Sequence, residues 1–152
     1  MQFTSLQSER TYRALNPNGD PFSYDASRNP ELEIIGLLLW ATEGDKTQLS
    51  LANGNSSIIK KYLEFLRVIC RFDESRIKAV IHHHDSTKYS ICLKYWSDAS
   101  GIPPQRFRKP FIKPDKGGNR NYPFGIVRIV AQSTKLQLIF KERLAEIGLP
   151  IH

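Results

Sequence analysis

Apolar residues change their spacing from segment to segment along the chain, and each spacing predicts an element. In residues 30–43, Leu32, Ile34, Ile35, Leu37, Leu38, Leu39 and Trp40 cover nearly the whole circumference of a helix, which must be buried on most sides. Asn29 offers an N-cap, Pro30 stands where the first turn needs no donor, and Glu31 and Glu33 suit the positive end of the helix. In residues 46–53, Leu49 and Leu51 alternate with polar neighbours, as in a strand with one wet face. The GNSS turn leads into residues 56–71, where Ile58, Ile59, Tyr62, Leu63, Leu66, Ile69 and Cys70 form a stripe and Lys60, Lys61, Glu64 and Arg67 face solvent. A second strand is predicted over 76–84, a helix over 86–99 closed by Ser100-Gly101, and a strand over 124–132. A last helix is capped by Ser133 or Thr134 and ends near Gly148. Residues 1–28 are polar, carry the turn cluster NPNGDP and show no sustained period. They read as an arm or tail draped on a single α+β domain spanning 29–152.

The length of 152 residues, with 40% hydrophobic and 24% charged positions, fits one ordinary globular domain. The apolar run 34–40 is far too short to span a bilayer, so no membrane partner is expected. The start MQFTSLQSERTYR lacks the charged head and apolar middle of a secretory signal, and an intracellular, cytoplasmic protein is the expectation. Cys70 and Cys92 fall in apolar helical patterns without metal-ligand spacing and read as buried free thiols.

Charge narrows the partner. Twenty-two Lys and Arg against fifteen Asp and Glu give +7, a balance that favours polyanions. From Gly101 to Arg128 stand Arg106, Arg108, Lys109, Lys113, Lys116, Arg120 and Arg128, opposed only by Asp115 and interleaved with Phe107, Phe111, Tyr122 and Phe124. These seven cations are the candidate contacts to nucleic-acid phosphates.

Glu43 is the candidate for chemistry. A carboxylate in the last turn of a helix faces the negative end of the macrodipole, at a cost of up to about 1 kcal/mol when exposed. It is tolerated where it points to solvent, pairs with Lys46 or holds a cation. Gly44 ends the helix, and a left-handed conformation is expected there. Gly36 and Gly44 leave room for another element to approach closely.

The segment GLLLWATEG at 36–44 resembles the signature helix of the LAGLIDADG homing endonucleases, with Glu43-Gly44 matching the terminal acid and glycine. LANGNSSIIKKYLEFL at 51–66 resembles that family's strand-to-helix passage, and the later strand pair and closing helix extend the resemblance over roughly 30–148. The chain is also similar to a prokaryotic group in which such a domain, with a tryptophan-acid-glycine-lysine motif, follows a helix-turn-helix. Two departures stand out. Leu38 occupies the place of the motif's early glycine, with Gly36 two places before it, and the first hairpin is short. The resemblance implies a mixed or antiparallel sheet with helices packed on one face and the motif helix at a dimer interface. One such helix per chain implies a homodimer on a near-palindromic site in double-stranded DNA. It further implies phosphodiester hydrolysis with Mg²⁺ or another divalent cation held by Glu43, since hard cations take oxygen ligands. Lys46 and Gln48 are candidates for orienting water or phosphate, and no small-molecule cofactor is implied.

His82, His83 and His84, followed by Asp85, form the other conspicuous stretch. Alternate strand side chains point to opposite faces, so the three imidazoles cannot all share one metal, and the pattern matches no compact zinc signature. His82 and His84 can share a face with Asp85 nearby, so a transition-metal site stays open beside a wet strand end or phosphate contacts by protonatable rings. Two other functions stay open from the residues alone. One is a domain of the same fold that binds DNA as a regulator without cleaving it, and the other is an interaction domain whose basic face meets an acidic protein.

Overall fold

The computed structural model of the chain describes residues 19–114 and 122–151. Among them the element order is helix α1 (Pro30–Glu43), strands β1 (Gly44–Asp45) and β2 (Ser50–Asn53), helix α2 (Ser56–Val68), strand β3 (Lys78–His84), helix α3 (Tyr89–Ser100), strands β4 (Phe111–Lys113) and β5 (Ile126–Val130), and helix α4 (Thr134–Glu146). The strands form one mixed sheet in the order β1-β2-β5-β3-β4, antiparallel throughout except for the parallel β3–β4 pair. No helix among the described residues is long and apolar enough to cross a membrane.

Local chemistry sets the boundaries. The Asn29 side chain accepts from Leu32 N at 3.1 Å and starts α1. Asn55 does the same for Ser57 N in α2, and Ser133 for Leu136 N in α4. At the end of α1 the expected left-handed glycine is replaced by extended backbone, with Gly44 at φ −86° and ψ 166°. The reason is that β1 begins at Gly44 itself, paired with Leu51. Glycine is required there by space, because a Cβ would lie 2.6 Å from both Cδ1 and the carbonyl oxygen of Trp40. The strand expected over 46–53 is shorter than its pattern. Asp45 accepts from Thr47 N at 2.9 Å, Thr47 Oγ1 at 2.6 Å and Gln48 Nε2 at 3.0 Å, which closes residues 46–49 into a turn. α2 stops at Val68, ahead of Arg71, which takes a positive φ of 39°. β4 has no counterpart in the hydrophobic pattern, since all three of its residues are exposed.

All four helices lie on one side of the sheet. Leu51, Ala79, Ile81, Val127 and Ile129 point into the same core as Leu37 and Trp40 of α1, Leu63 and Leu66 of α2, Trp96 of α3 and Leu136 and Phe140 of α4. Cys70 and Cys92 are free and buried in that core. The alternate strand residues, among them Ala52, Val80, His82, Ile126 and Arg128, lie outside the core on the opposite face.

Packing centres on Phe65. A Cβ on Gly36 would come within 2.0 Å of the Phe65 ring, so α1 and α2 meet only because residue 36 has no side chain. Phe65 in turn touches Phe140 (5.2 Å between ring centroids), and Phe140 touches Trp40 (5.3 Å). Tyr24 packs edge-on against Phe65. The described part of the arm is thus pinned to the domain: Phe22 is buried, and Ser23 N and Asp25 N donate to the carbonyls of Cys70 and Ile69.

One carboxylate lies inside this assembly. Glu33 is only 2% exposed and receives two bonds from Arg143 on α4 (Nε at 2.7 Å, Nη2 at 2.8 Å) and one from the Tyr24 hydroxyl. Burial tends to raise its pKa, but the bonds from Arg143 and Tyr24 outweigh that and hold it below the usual carboxylate range. Arg143→Ala leaves this buried charge unpaired and is expected to cost about 3 kcal/mol in urea melts at neutral pH. The stabilisation by the ionised pair is complete above the unfolded-state carboxyl value and fades as pH falls through the lower folded value. The gap between wild type and variant is therefore expected to narrow in acid.

Candidate functional site

Glu43 leaves α1 exposed to solvent at the sheet's β1 edge. Its nearest described partner is Asn53 on β2, whose Nδ2 lies 3.5 Å from Oε2, a long contact that leaves the carboxylate free to take another ligand. Lys46 and Gln48 both sit in the hairpin turn that follows. The Lys46 carbonyl accepts from Gln137 Nε2 at 2.7 Å, which ties the turn to α4. The Gln48 side-chain amide donates to Asp45, and the Gln48 backbone carbonyl accepts from Trp40 Nε1 at 3.4 Å.

Asp45 was not foreseen as a site residue. It is the only acid in any described strand, and it follows Glu43 by two positions. Bonds from the Thr47 side chain, Gln48 and the Thr47 amide pull its pKa down to about 2, with Arg128 adding to the effect. It is thus a fixed anion at the sheet edge. The sequence signal was Asp45 followed by Thr47 at the spacing of an Asx turn, which reads as turn chemistry before it reads as a site.

A divalent cation fits this edge only in part. Glu43 and the carbonyls at the end of α1 are hard oxygen donors of the kind Mg²⁺ takes. Among the described residues, however, no group of three or more His, Cys, Asp or Glu comes together. At this edge the described residues supply a single free carboxylate beside the α1 carbonyls, and further ligands would come from phosphate, water or a second copy.

Of the seven basic candidates, Lys116 and Arg120 lie outside the described residues. Arg106 is turned inward: its side chain is 16% exposed, Nη2 meets Glu74 Oε2 at 3.0 Å, and Nη1 donates to the Glu74 carbonyl. Arg67 holds the other oxygen of the same carboxylate at 2.6 Å. Arg108 and Lys109 are exposed beside the Ala79–Phe107 bridge, and Lys113 is exposed on β4. Arg128 lies mid-sheet on the face opposite the helices, with Nη1 3.1 Å from Ser50 Oγ.

The histidines divide as strand geometry requires. His83 points inward, is buried and stacks on Tyr89. His82 and His84 share the face opposite the helices with Lys78, Arg128 and Lys113. His82 stacks on Phe111 at 4.8 Å, and desolvation together with the positive charges of Arg128 and Lys113 lowers its pKa.

The outward side of α1 is apolar as well. Leu38 is 37% exposed, and Ile34, Ile35 and Leu39 are partly so, in contrast to the expectation of a helix buried on most sides. Thr42 continues this stripe and bonds back to the Leu38 carbonyl at 2.7 Å. Compared with protein-family models, with curated proteins and with solved structures, the chain matches none.

The division among the cations is open to measurement. Arg106→Ala is expected to lower the unfolding free energy by about 2 kcal/mol, the scale of a lost charge-assisted bond. Arg108→Ala, on the exposed side of the same segment, is expected to stay within about 0.5 kcal/mol. Parallel thermal melts compare the two.

Proposed function

We infer that this domain binds duplex DNA through the sheet face opposite its helices and, as a homodimer joined along α1, cleaves it as a divalent-metal-dependent endonuclease of LAGLIDADG type. The observation that carries the reading is the charge on that face. Among the described residues it presents Lys78, Arg128 and Lys113 with His82 and His84, and Asp45 at the far edge is the only acid in the described strands. A concentrated cationic surface of this kind displaces counterions from a phosphate backbone and gains most of its affinity that way. Arg108 and Lys109 extend the surface beyond the strands.

The apolar outer stripe of α1 supports the dimer. Ile34, Ile35, Leu38 and Thr42 recur at helical spacing on the side of α1 that no described element covers, and a second copy of the helix is the partner of like chemistry. A two-fold axis along that stripe puts the ends of the two α1 helices, each with its Glu43, in the same region. Mg²⁺ held by Glu43 would activate water and neutralise the developing phosphate charge. The chain's own contribution is to place that carboxylate at the end of α1, with Asn53 nearby and the hairpin turn 46–49 held by Gln137 beside it.

A second reading, binding without cleavage, is favoured by Leu38. Where the resembled motif has glycine, the outer stripe has a bulky side chain, which holds two α1 helices farther apart and loosens the pairing of their acids. A metal-dependent nicking assay on the bound site distinguishes the two. Glu43→Gln is expected to abolish nicking while DNA affinity stays level or improves, and uncleaved DNA with the wild type points to the regulator. The footprint is checked separately. Lys109→Ala with Lys113→Ala is expected to lower the slope of log affinity against log salt by roughly 1.8, about 0.9 for each lost phosphate contact. An unchanged slope removes these residues from the interface.

A further inference from the structure

A cleft of about 330 Å³ opens at the entry to α2, between the β2–α2 passage, α3 and the turn that precedes β5. Its walls are aromatic: Tyr95 from α3, and Tyr122 and Phe124 from the turn. Tyr95 and Phe124 stack face to face at 4.1 Å and 8°. Tyr122 rests on Gly54, where a Cβ would come within 2.1 Å of its ring, and yet it is 45% exposed. The turn itself is rigid. Gly125 N donates to Tyr122 O at 2.9 Å, and Trp96 Nε1 donates to Phe124 O at 3.0 Å. Gly125 has a φ of +76°, and a Cβ there would meet the His82 carbonyl oxygen at 2.4 Å. A turn that requires glycine at 125, and the bare Cα of Gly54 under Tyr122, thus hold aromatic rings around an open space of ligand size.

We propose that this cleft receives a single unstacked nucleobase, sandwiched against Tyr122 and the Tyr95–Phe124 wall. The volume suits one planar base and is far too small for a helix. The neighbouring charge selects a nucleobase over a peptide side chain. The turn runs directly into the strand that carries Arg128, and Lys113 pairs with His84 on the same face of the sheet. Gly125 abuts His82, so the cleft lies at the end of the cationic surface, where a backbone tracked along the sheet can turn one base inward. Stacking on aromatic rings tolerates any base, and each stacked base adds appreciable affinity. The inference deepens the DNA reading and rests on it.

The test uses the full chain and three fluorescent probes: a matched duplex, the same duplex with one unpaired 2-aminopurine, and a short single strand carrying 2-aminopurine. The unpaired base is expected to quench on binding and to tighten binding about tenfold or more over the matched duplex, as one base stacked on an aromatic ring does. Tyr122→Ala is expected to erase that gain and leave matched-duplex affinity unchanged, while Tyr122→Phe retains it. Equal affinity for matched and unpaired duplexes, or a gain that survives in Tyr122→Ala, overturns the proposal. So does the absence of any gain together with Tyr122-dependent binding of a Gly-Trp-Gly peptide. Binding of the single strand through Tyr122 without binding of the matched duplex upholds the cleft and instead removes the duplex reading.

Discussion

The contact of the Phe65 ring with the bare Cα of Gly36 sets the distance between α1 and α2, and the rest of the core is built outward from it. Phe140 reaches the same ring from α4, Trp40 closes on Phe140, and Tyr24 brings the arm into the cluster. These rings bury large apolar areas at fixed angles, so a shift at any of them is felt by α1, α2 and α4 together. Glu33 and Arg143 act in the same place. They fix the rotation of α1 about its axis by tying one of its buried positions to α4. That rotation decides which side of α1 faces outward and where Glu43 emerges.

Covering the sheet from one side has a direct chemical consequence. With every helix on the inner face, the outer positions of β3, β5 and β4 are left to cations, imidazoles and a few apolar side chains. The arrangement separates two tasks. The inner face holds the domain together, and the outer face collects positive charge with a single fixed anion, Asp45, at its edge. Arg106 shows that sequence proximity to the patch does not place a cation on it, since Glu74 draws its guanidinium into the framework.

Local patterns made much of this legible. The circumference of apolar residues, the Asn29 cap and Pro30 located α1, and the stripe at Ile59, Tyr62, Leu63 and Leu66 located α2. What the pattern hid was long-range or conformational. The partner of Glu33 is 110 residues away, and that of Arg106 is 32, so neither ion pair leaves a mark in any sequence window. The extended Gly44 follows from β1 starting without a linker, a tertiary choice that overrides the usual helix stop. β4 is three exposed residues paired in parallel with β3, with no alternation to announce it. Among the site residues, Glu43 was visible as an acid ending an apolar helix. Asp45 was hidden behind its role in a turn, and the aromatic cleft required Gly54 and Gly125 to be seen in three dimensions.

The central claim is that the outer stripe of α1 is a seam between two copies, which brings their Glu43 carboxylates to one region. Pulsed electron-spin measurements on Thr42→Cys, spin-labelled at that exposed position, address it most directly, because Cys70 and Cys92 are fully buried. The account predicts a single short inter-label distance, consistent with helix axes roughly 8–10 Å apart, both free and on DNA. A sample without dipolar modulation, or with only long and broad distances when bound, would contradict it.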